Sequence, residues 1–223
     1  MSVDWRLGFL GDAALSVRSL AEAPLEANAC VHRLARGLRL AQVAGVRDIV
    51  PGMRELVVHV DPLRCDIAHV EAALRGASDI AAPDDERAAT GLVEIPVTYG
   101  GDAGPDLADV AEACGLTAAE VCRRHAAPEY IVCFVGFLPG FPYLGLLDPS
   151  LRVPRRRTPR PRVAPGSVAI AGEFTGVYPW ASPGGWHLIG RTDATLFDLD
   201  VDPPARLGPG ARVRFVAQEP RRS

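Results

Sequence analysis

The chain has 223 residues, 48% of them hydrophobic and 23% charged, with a formal net charge of -3. That length can bury one large core or two modest ones, the composition argues against a disordered chain, and the charge balance gives no reason to expect nucleic acid or an anionic membrane as principal partner. All 24 basic residues are arginine, so the chain has no lysine for a Walker-type phosphate loop, a pyridoxal Schiff base or biotinylation, and ATP or biotin would have to be held by another chain.

The N-terminal part alternates strand and helix signals, beginning with short apolar pieces at 7–10 and 13–17. Val31, Leu34, Ala35 and Leu38 fall at i, i+3, i+4, i+7 spacing and predict a helix over about 26–41, with Arg33 and Arg36 on its opposite face. Residues 46–50, the turn Pro51-Gly52 and the β-rich run 56–60 read as a hairpin. A second helix is expected from near Leu63, burying Ile67, Val70 and Leu74 and stopping at Gly76 as its C′ residue. Two helices on a small sheet make an α+β domain of ferredoxin-like outline over residues 1–85. Residues 81–89 are short, charged and without apolar period, and the domain boundary is placed there, in a segment expected to be open to proteolysis.

The second domain, 90–223, opens with a strand at 92–98 and helices at about 106–114 and 118–125. Thr117 and Glu120 form a capping box and Leu116 and Val121 a hydrophobic staple at the start of the second helix. Residues 130–147 run eighteen positions without a charge, but Pro139, Pro142, Gly136, Gly140 and Gly145 would break a membrane helix repeatedly, so they read as a strand and a buried loop. From 134 to 192 nine glycines and nine prolines exclude long helices and call for a compact β-barrel of short strands, with candidates at 167–171, 186–190, 195–199 and 211–216. Five cysteines without a CxxC pair or zinc-type spacing read as buried free thiols, and the N-terminus lacks a signal-peptide pattern; both fit the reducing cytoplasm.

Candidate chemistry lies in the glycine-rich half. The loop 136–145 carries Phe137 and Tyr143 between rigid prolines and bare glycines, which suits a pocket wall as well as a buried barrel corner. Arg152, Arg155, Arg156, Arg157, Arg160 and Arg162 crowd one proline-interrupted segment; guanidinium groups bind carboxylates bidentately, although such a segment is also an ordinary solvated loop, and Arg160 and Arg162 stand closest to the next strand. Gly166-Ser167 and Gly184-Gly185 each lead a turn into a strand; Ser167 could offer a hydroxyl to a ligand but has no nucleophile elbow around it. His187, the histidine of this half, is the candidate catalytic acid or base, with a structural role as the alternative. Paired glycosidase carboxylates, GxGxxG, EF-hand and HExxH patterns do not stand out, so a cofactor or metal bound wholly by this chain is not expected.

The stretches GFLPGFPYLG (136–145), LDPSLRVPRRRTPRPRV (147–163), PGSVAIAGEFTGVYPWASPGGWHLIGRT (165–192) and LFDLD (196–200), with IPVTYGG at 95–101 upstream, resemble the family of 5-oxoprolinase B subunits, KipI and allophanate hydrolase subunit 1 over nearly the whole chain. The resemblance implies a cyclophilin-like second domain and a component of an ATP-dependent complex, with A- and C-type subunits as partners, that opens the lactam of 5-oxoproline to glutamate. It implies ATP at the level of the complex and no activity for this chain alone; in such a complex Phe137, Tyr143, Arg160, Gly166, Ser167, Gly184, Gly185 and His187, singled out above from their residue types and turns, are the candidates for facing substrate. A KipI-like inhibitor of a histidine kinase, or a carboxyltransferase component of a urea or amide carboxylase, are the alternative roles that the same resemblance implies.

Overall fold

A computed structural model describes residues 4–77 and 91–218, and within it the chain divides into two compact units, Met1–Ala88 and Ala89–Ser223. The boundary expected at 81–89 lies outside the described residues.

In the first unit, strands β1 (Trp5–Phe9), β2 (Ala14–Ser19), β3 (Val46–Pro51) and β4 (Glu55–Val60) form a four-stranded antiparallel sheet in the order β1-β2-β4-β3. Helices α1 (Pro24–Ala41) and α2 (Ile67–Gly76) bury one face each. Alternation along β2 and β4 sends Leu15, Val17, Leu56, Val58 and Val60 to the helix side, where they meet Val31, Leu34, Ala35 and Leu38 of α1 and Val70 and Leu74 of α2. The helical spacing noted in the sequence is therefore the buried face. Helix α1 starts two residues before the expected point because Pro24 needs no N–H partner in a first turn. Helix α2 starts later than Leu63, which is exposed, because the Asp66 side chain accepts from the backbone N–H of Ala68 and caps the helix there. Gly76 is not a left-handed stop: it is the last helical residue, and Ala77 caps the end in right-handed geometry.

The second unit is built on strands β5 (Val93–Tyr99), β6 (Tyr130–Val135), β7 (Pro142–Gly145), β8 (Arg160–Val163), β9 (Ser167–Ala171), β10 (Phe174–Val177), β11 (Ser182–Gly184), β12 (His187–Arg191) and β13 (Arg212–Gln218). Seven of them close a barrel in the order β10-β7-β6-β13-β5-β12-β9, while β8 and β11 form a separate two-stranded ribbon. The barrel is antiparallel except where β13, the last strand, runs parallel to β5, the first. Helices α3 (Leu107–Cys114) and α4 (Ala118–Ala126) sit between β5 and β6 in sequence. Thr117 accepts from the N–H of Glu120 as the capping box requires, but the Glu120 carboxylate turns to Arg124 at 2.7 Å instead of reaching back. The uncharged stretch 130–147 is β6, a loop and β7, and among the described residues no helix is long and apolar enough to cross a membrane.

Two differences from the sequence reading concern strands. No strand forms at 195–199: Phe197 makes a single bridge to Ala205, and the segment returns through Pro203 and Pro204, which cannot donate to a ladder. Conversely, the arginine segment expected as a loop contains β8, paired with β11 through Val163–Ser182 and Arg160–Gly184.

Strand β9 is buried on both faces and so divides two cores. Val168 and Ile170 enter the barrel interior with Ile95, Val97, Tyr130, Val132 and Phe215. Ala169 and Ala171 join an outer cluster with Phe141, Val163, Tyr178, Trp186 and Leu188. The candidate site is built over this second cluster.

Candidate functional site

A cleft of ≈ 250 Å³ opens on the barrel's outer aromatic cluster. Its walls are Phe137 and Phe141 from the loop after β6, Tyr143 of β7, Tyr178 after β10 and Trp186 before β12, closed by Pro159, Pro183, Gly184 and Gly185 and with Arg155 at its rim. The rings meet edge to face: Phe141 lies 5.1 Å from Tyr178 and 5.4 Å from Trp186, and Tyr143 lies 5.5 Å from Trp186, between centroids. This packing locks the walls before any ligand arrives. Phe137 holds a left-handed backbone at φ 69° and is 61% exposed. That conformation costs about 1–2 kcal/mol for a residue with a side chain, and the edge contacts of its ring with Phe141 and Tyr178 offset it. Burial pushes the Tyr143 hydroxyl up, with the nearby charge of Arg155 opposing; burial does the same to Tyr178, opposed by a hydrogen bond from the Trp186 backbone N–H and by Arg155 and Arg160.

Beside the cleft stands a buried ion cluster. Asp106, 2% exposed, accepts from Arg160 through both oxygens (2.8 and 2.7 Å), from Arg156 at 2.8 Å and from the backbone N–H of Leu188 at 2.7 Å. Burial would push this carboxyl up, but the hydrogen bonds of Arg160 and Leu188 and the charges of Arg160 and Arg156 outweigh it and hold the group below the usual carboxylate range. The cluster ties β8 to the loop before α3 and to β12.

Of the residues singled out from sequence, Phe137, Tyr143, Gly184 and Gly185 are brought together as cleft lining. Arg160, Gly166, Ser167 and His187 do not line it. The fork of Arg160 is spent on Asp106. Gly166, at φ 77°, lies so close to another strand's end that a Cβ would stand 2.1 Å from the Thr192 carbonyl oxygen, which explains the glycine by backbone approach. Ser167 is buried at the start of β9, where its carbonyl accepts from the Tyr178 N–H. His187 donates from Nε2 to the Pro154 carbonyl at 3.0 Å, leaving Nδ1 buried without a partner among the described residues. Gly184 makes room for the Tyr178 ring, since a Cβ there would stand 2.4 Å from the phenol oxygen. Sequence reasoning missed Phe141, Tyr178, Trp186 and Arg155 as a set; the available signal was a tryptophan following two glycines and an arginine outside the strand.

A second polar group sits inside the barrel. His125, fully buried, contacts Tyr99 through Nδ1 at 2.7 Å and Thr175 through Nε2 at 2.8 Å, and the Thr175 hydroxyl donates on to the Ala169 carbonyl at 3.1 Å. With its proton committed there, Thr175 accepts from Nε2–H, so Nδ1 is the acceptor for the Tyr99 O–H and the imidazole is neutral. Burial pushes its pKa down from 6.5 to about 3. Among the described residues no three His, Cys, Asp or Glu side chains come together as a metal-holding group.

Residues 5–207 match the family model of the carboxyltransferase domain, subdomain C and D. Over 215 residues the sequence is 42% identical to the 5-oxoprolinase B subunit of Escherichia coli O157:H7, covering 96% of each chain. It is 37% identical over 230 residues to the 5-oxoprolinase B subunit of Bacillus subtilis strain 168, covering 97% of this chain and 94% of that one. The crystal structure of TTHA0988 is similar with a TM-score of 0.79 and 38% identity over 93% of this chain, which spans 40% of that longer polypeptide.

Proposed function

We propose, from the premise that this chain belongs to the carboxyltransferase-domain subdomain C and D family together with the 5-oxoprolinase B subunits, that it serves as the B-type component of an ATP-dependent 5-oxoprolinase. The observation that carries the reading is end-to-end identity of 42% with a protein of that name. The complex would consist of this chain with A- and C-type subunits. In the proposed reaction the γ-phosphoryl group of ATP would pass to the lactam oxygen, one water would add to the ring carbon, the C–N bond would break with protonation of nitrogen to leave an acyl phosphate, and a second water would cleave that phosphate, giving glutamate, ADP and phosphate. Activation by ATP is needed because an unstrained amide carbon is a poor electrophile.

In this reading the first unit is a ferredoxin-like outline, supported by its antiparallel order β1-β2-β4-β3 with two helices, and the second a cyclophilin-like barrel. The aromatic cleft supplies a preformed apolar wall that orients the ring and keeps bulk water from it. Phosphate handling belongs to a partner, since the 223 residues contain no lysine and no phosphate-loop motif. Glutamate release is measured from A-, B- and C-type subunits mixed together and with each omitted in turn. The expected result is loss of activity without this chain and none from this chain alone; full activity in its absence refutes the assignment. Capture of a histidine kinase or of a biotin-bearing carboxylase by this chain, in place of the oxoprolinase subunits, would support the inhibitor or carboxyltransferase role instead.

A further inference from the structure

We propose that Arg155 is the anion-binding side chain of the aromatic cleft, receiving the carboxylate of a small cyclic amide acid whose ring lies against Tyr143 and Trp186. The identity of the acid rests on the oxoprolinase reading above; the charge it must carry rests on the cleft itself.

Three arginines of the segment approach this face, and only one is available. Arg156 and Arg160 are both tied to Asp106, Arg160 through two parallel bonds. Arg155 is exposed, lines the cleft and makes no hydrogen bond or ion pair among the described residues. Its charge opposes the upward push of burial on the hydroxyls of Tyr143 and Tyr178, in keeping with its place in the cleft lining. The remaining lining is aromatic rings, prolines and glycines, with no acidic side chain to repel an anion. A cleft of ≈ 250 Å³ is small, just under the roughly 300–1,000 Å³ of drug-sized pockets, and suits a single-ring metabolite better than a nucleotide. One flat apolar floor with one cation at its edge selects a ligand with the same division: a compact ring bearing one carboxylate. A guanidinium can take both oxygens of that carboxylate, which an ammonium cannot do in one plane.

The test uses the full chain and ligand-observed NMR titration with 5-oxoproline and with 2-pyrrolidone, the same ring without the carboxylate. Arg155→Gln is expected to weaken 5-oxoproline binding about ten- to a hundred-fold, as loss of a charge-assisted contact does, and to leave 2-pyrrolidone unchanged. Arg155→Lys should fall between, and Arg162→Gln, an exposed arginine outside the cleft, should bind like the parent. In the assembled complex the same Arg155→Gln change should raise KM for 5-oxoproline while kcat stays within about threefold of the parent. Unchanged 5-oxoproline binding in Arg155→Gln overturns the proposal, as does equal weakening for 2-pyrrolidone or no saturable binding by the parent chain and complex at millimolar acid. If the complex does not turn over 5-oxoproline while Arg155→Gln still abolishes binding of the acid, the oxoprolinase reading fails and the carboxylate site stands.

Discussion

Replacing His125 with glutamine should remove a specific acid sensitivity from the barrel. In the folded chain the imidazole is buried and neutral, with its pKa lowered from 6.5 to about 3. The unfolded chain therefore takes up the proton first as pH falls. Stability from this group is complete above pH 6.5, is lost between pH 6.5 and 3 at about 1.4 kcal/mol per pH unit, and stops changing below 3. Between pH 7.5 and 5 the integrated loss is about 2 kcal/mol. Glutamine can still donate to Thr175 but cannot take up a proton, so the stability gap between parent and His125→Gln should narrow by that amount over the same interval. Carboxylates with lowered pKa also cost stability in acid, but they act equally on both proteins and cancel in the difference. Urea unfolding can be followed by fluorescence in a Trp5→Phe background, which leaves Trp180 and Trp186, both in the barrel unit, as reporters. A gap that stays constant within about 0.5 kcal/mol from pH 7.5 to 5 would show that the barrel tolerates a charged imidazole and would refute the argument.

The Asp106 cluster makes a different demand. Arg160→Ala removes two charge-assisted bonds and Arg156→Ala one, so the first should destabilise the barrel by about 3 kcal/mol and the second by about 1.5 in urea titrations; equal losses would mean that the bidentate geometry carries no extra weight. Gly166→Ala must accept both a left-handed φ and a Cβ at 2.1 Å from a carbonyl oxygen, and is expected to lower stability by about 2 kcal/mol or more. Gly185→Ala meets nothing nearer than 3.7 Å and should stay within about 0.5 kcal/mol of the parent in the same thermal or chemical melt; a Gly166→Ala protein as stable as the parent would contradict the close backbone approach.

Much of the first unit is legible locally. The apolar spacing of Val31, Leu34, Ala35 and Leu38 names a helix face, and alternation in 56–60 names a strand, because each period matches the geometry of a single element. Capping chemistry is local too: Thr117 caps α4 as its spacing to Glu120 suggests, and Asp66, rather than the apolar pattern, decides where α2 begins. The density of glycine and proline after Phe134 demands short strands and turns, which form, and the aromatic loop with Phe137 and Tyr143 is recognisable as a wall.

What the sequence by itself determined, then, is the kind of element at most positions and the family to which the chain belongs. Tertiary structure alone decided how distant segments pair and where charge is spent. The parallel contact of β13 with β5 closes the barrel between residues more than a hundred positions apart, and no local period encodes it. The same holds for the arginines: in sequence Arg160 stands out from Arg155 and Arg156 as the one nearest the next strand and the substrate-facing candidate, but folding brings Asp106 against Arg160 and Arg156 and leaves Arg155 at the cleft. A side chain's availability depends on which partner the fold delivers to it across space, and hydrogen bonding in a buried site is decided at a range that neighbouring residues in the chain do not reveal.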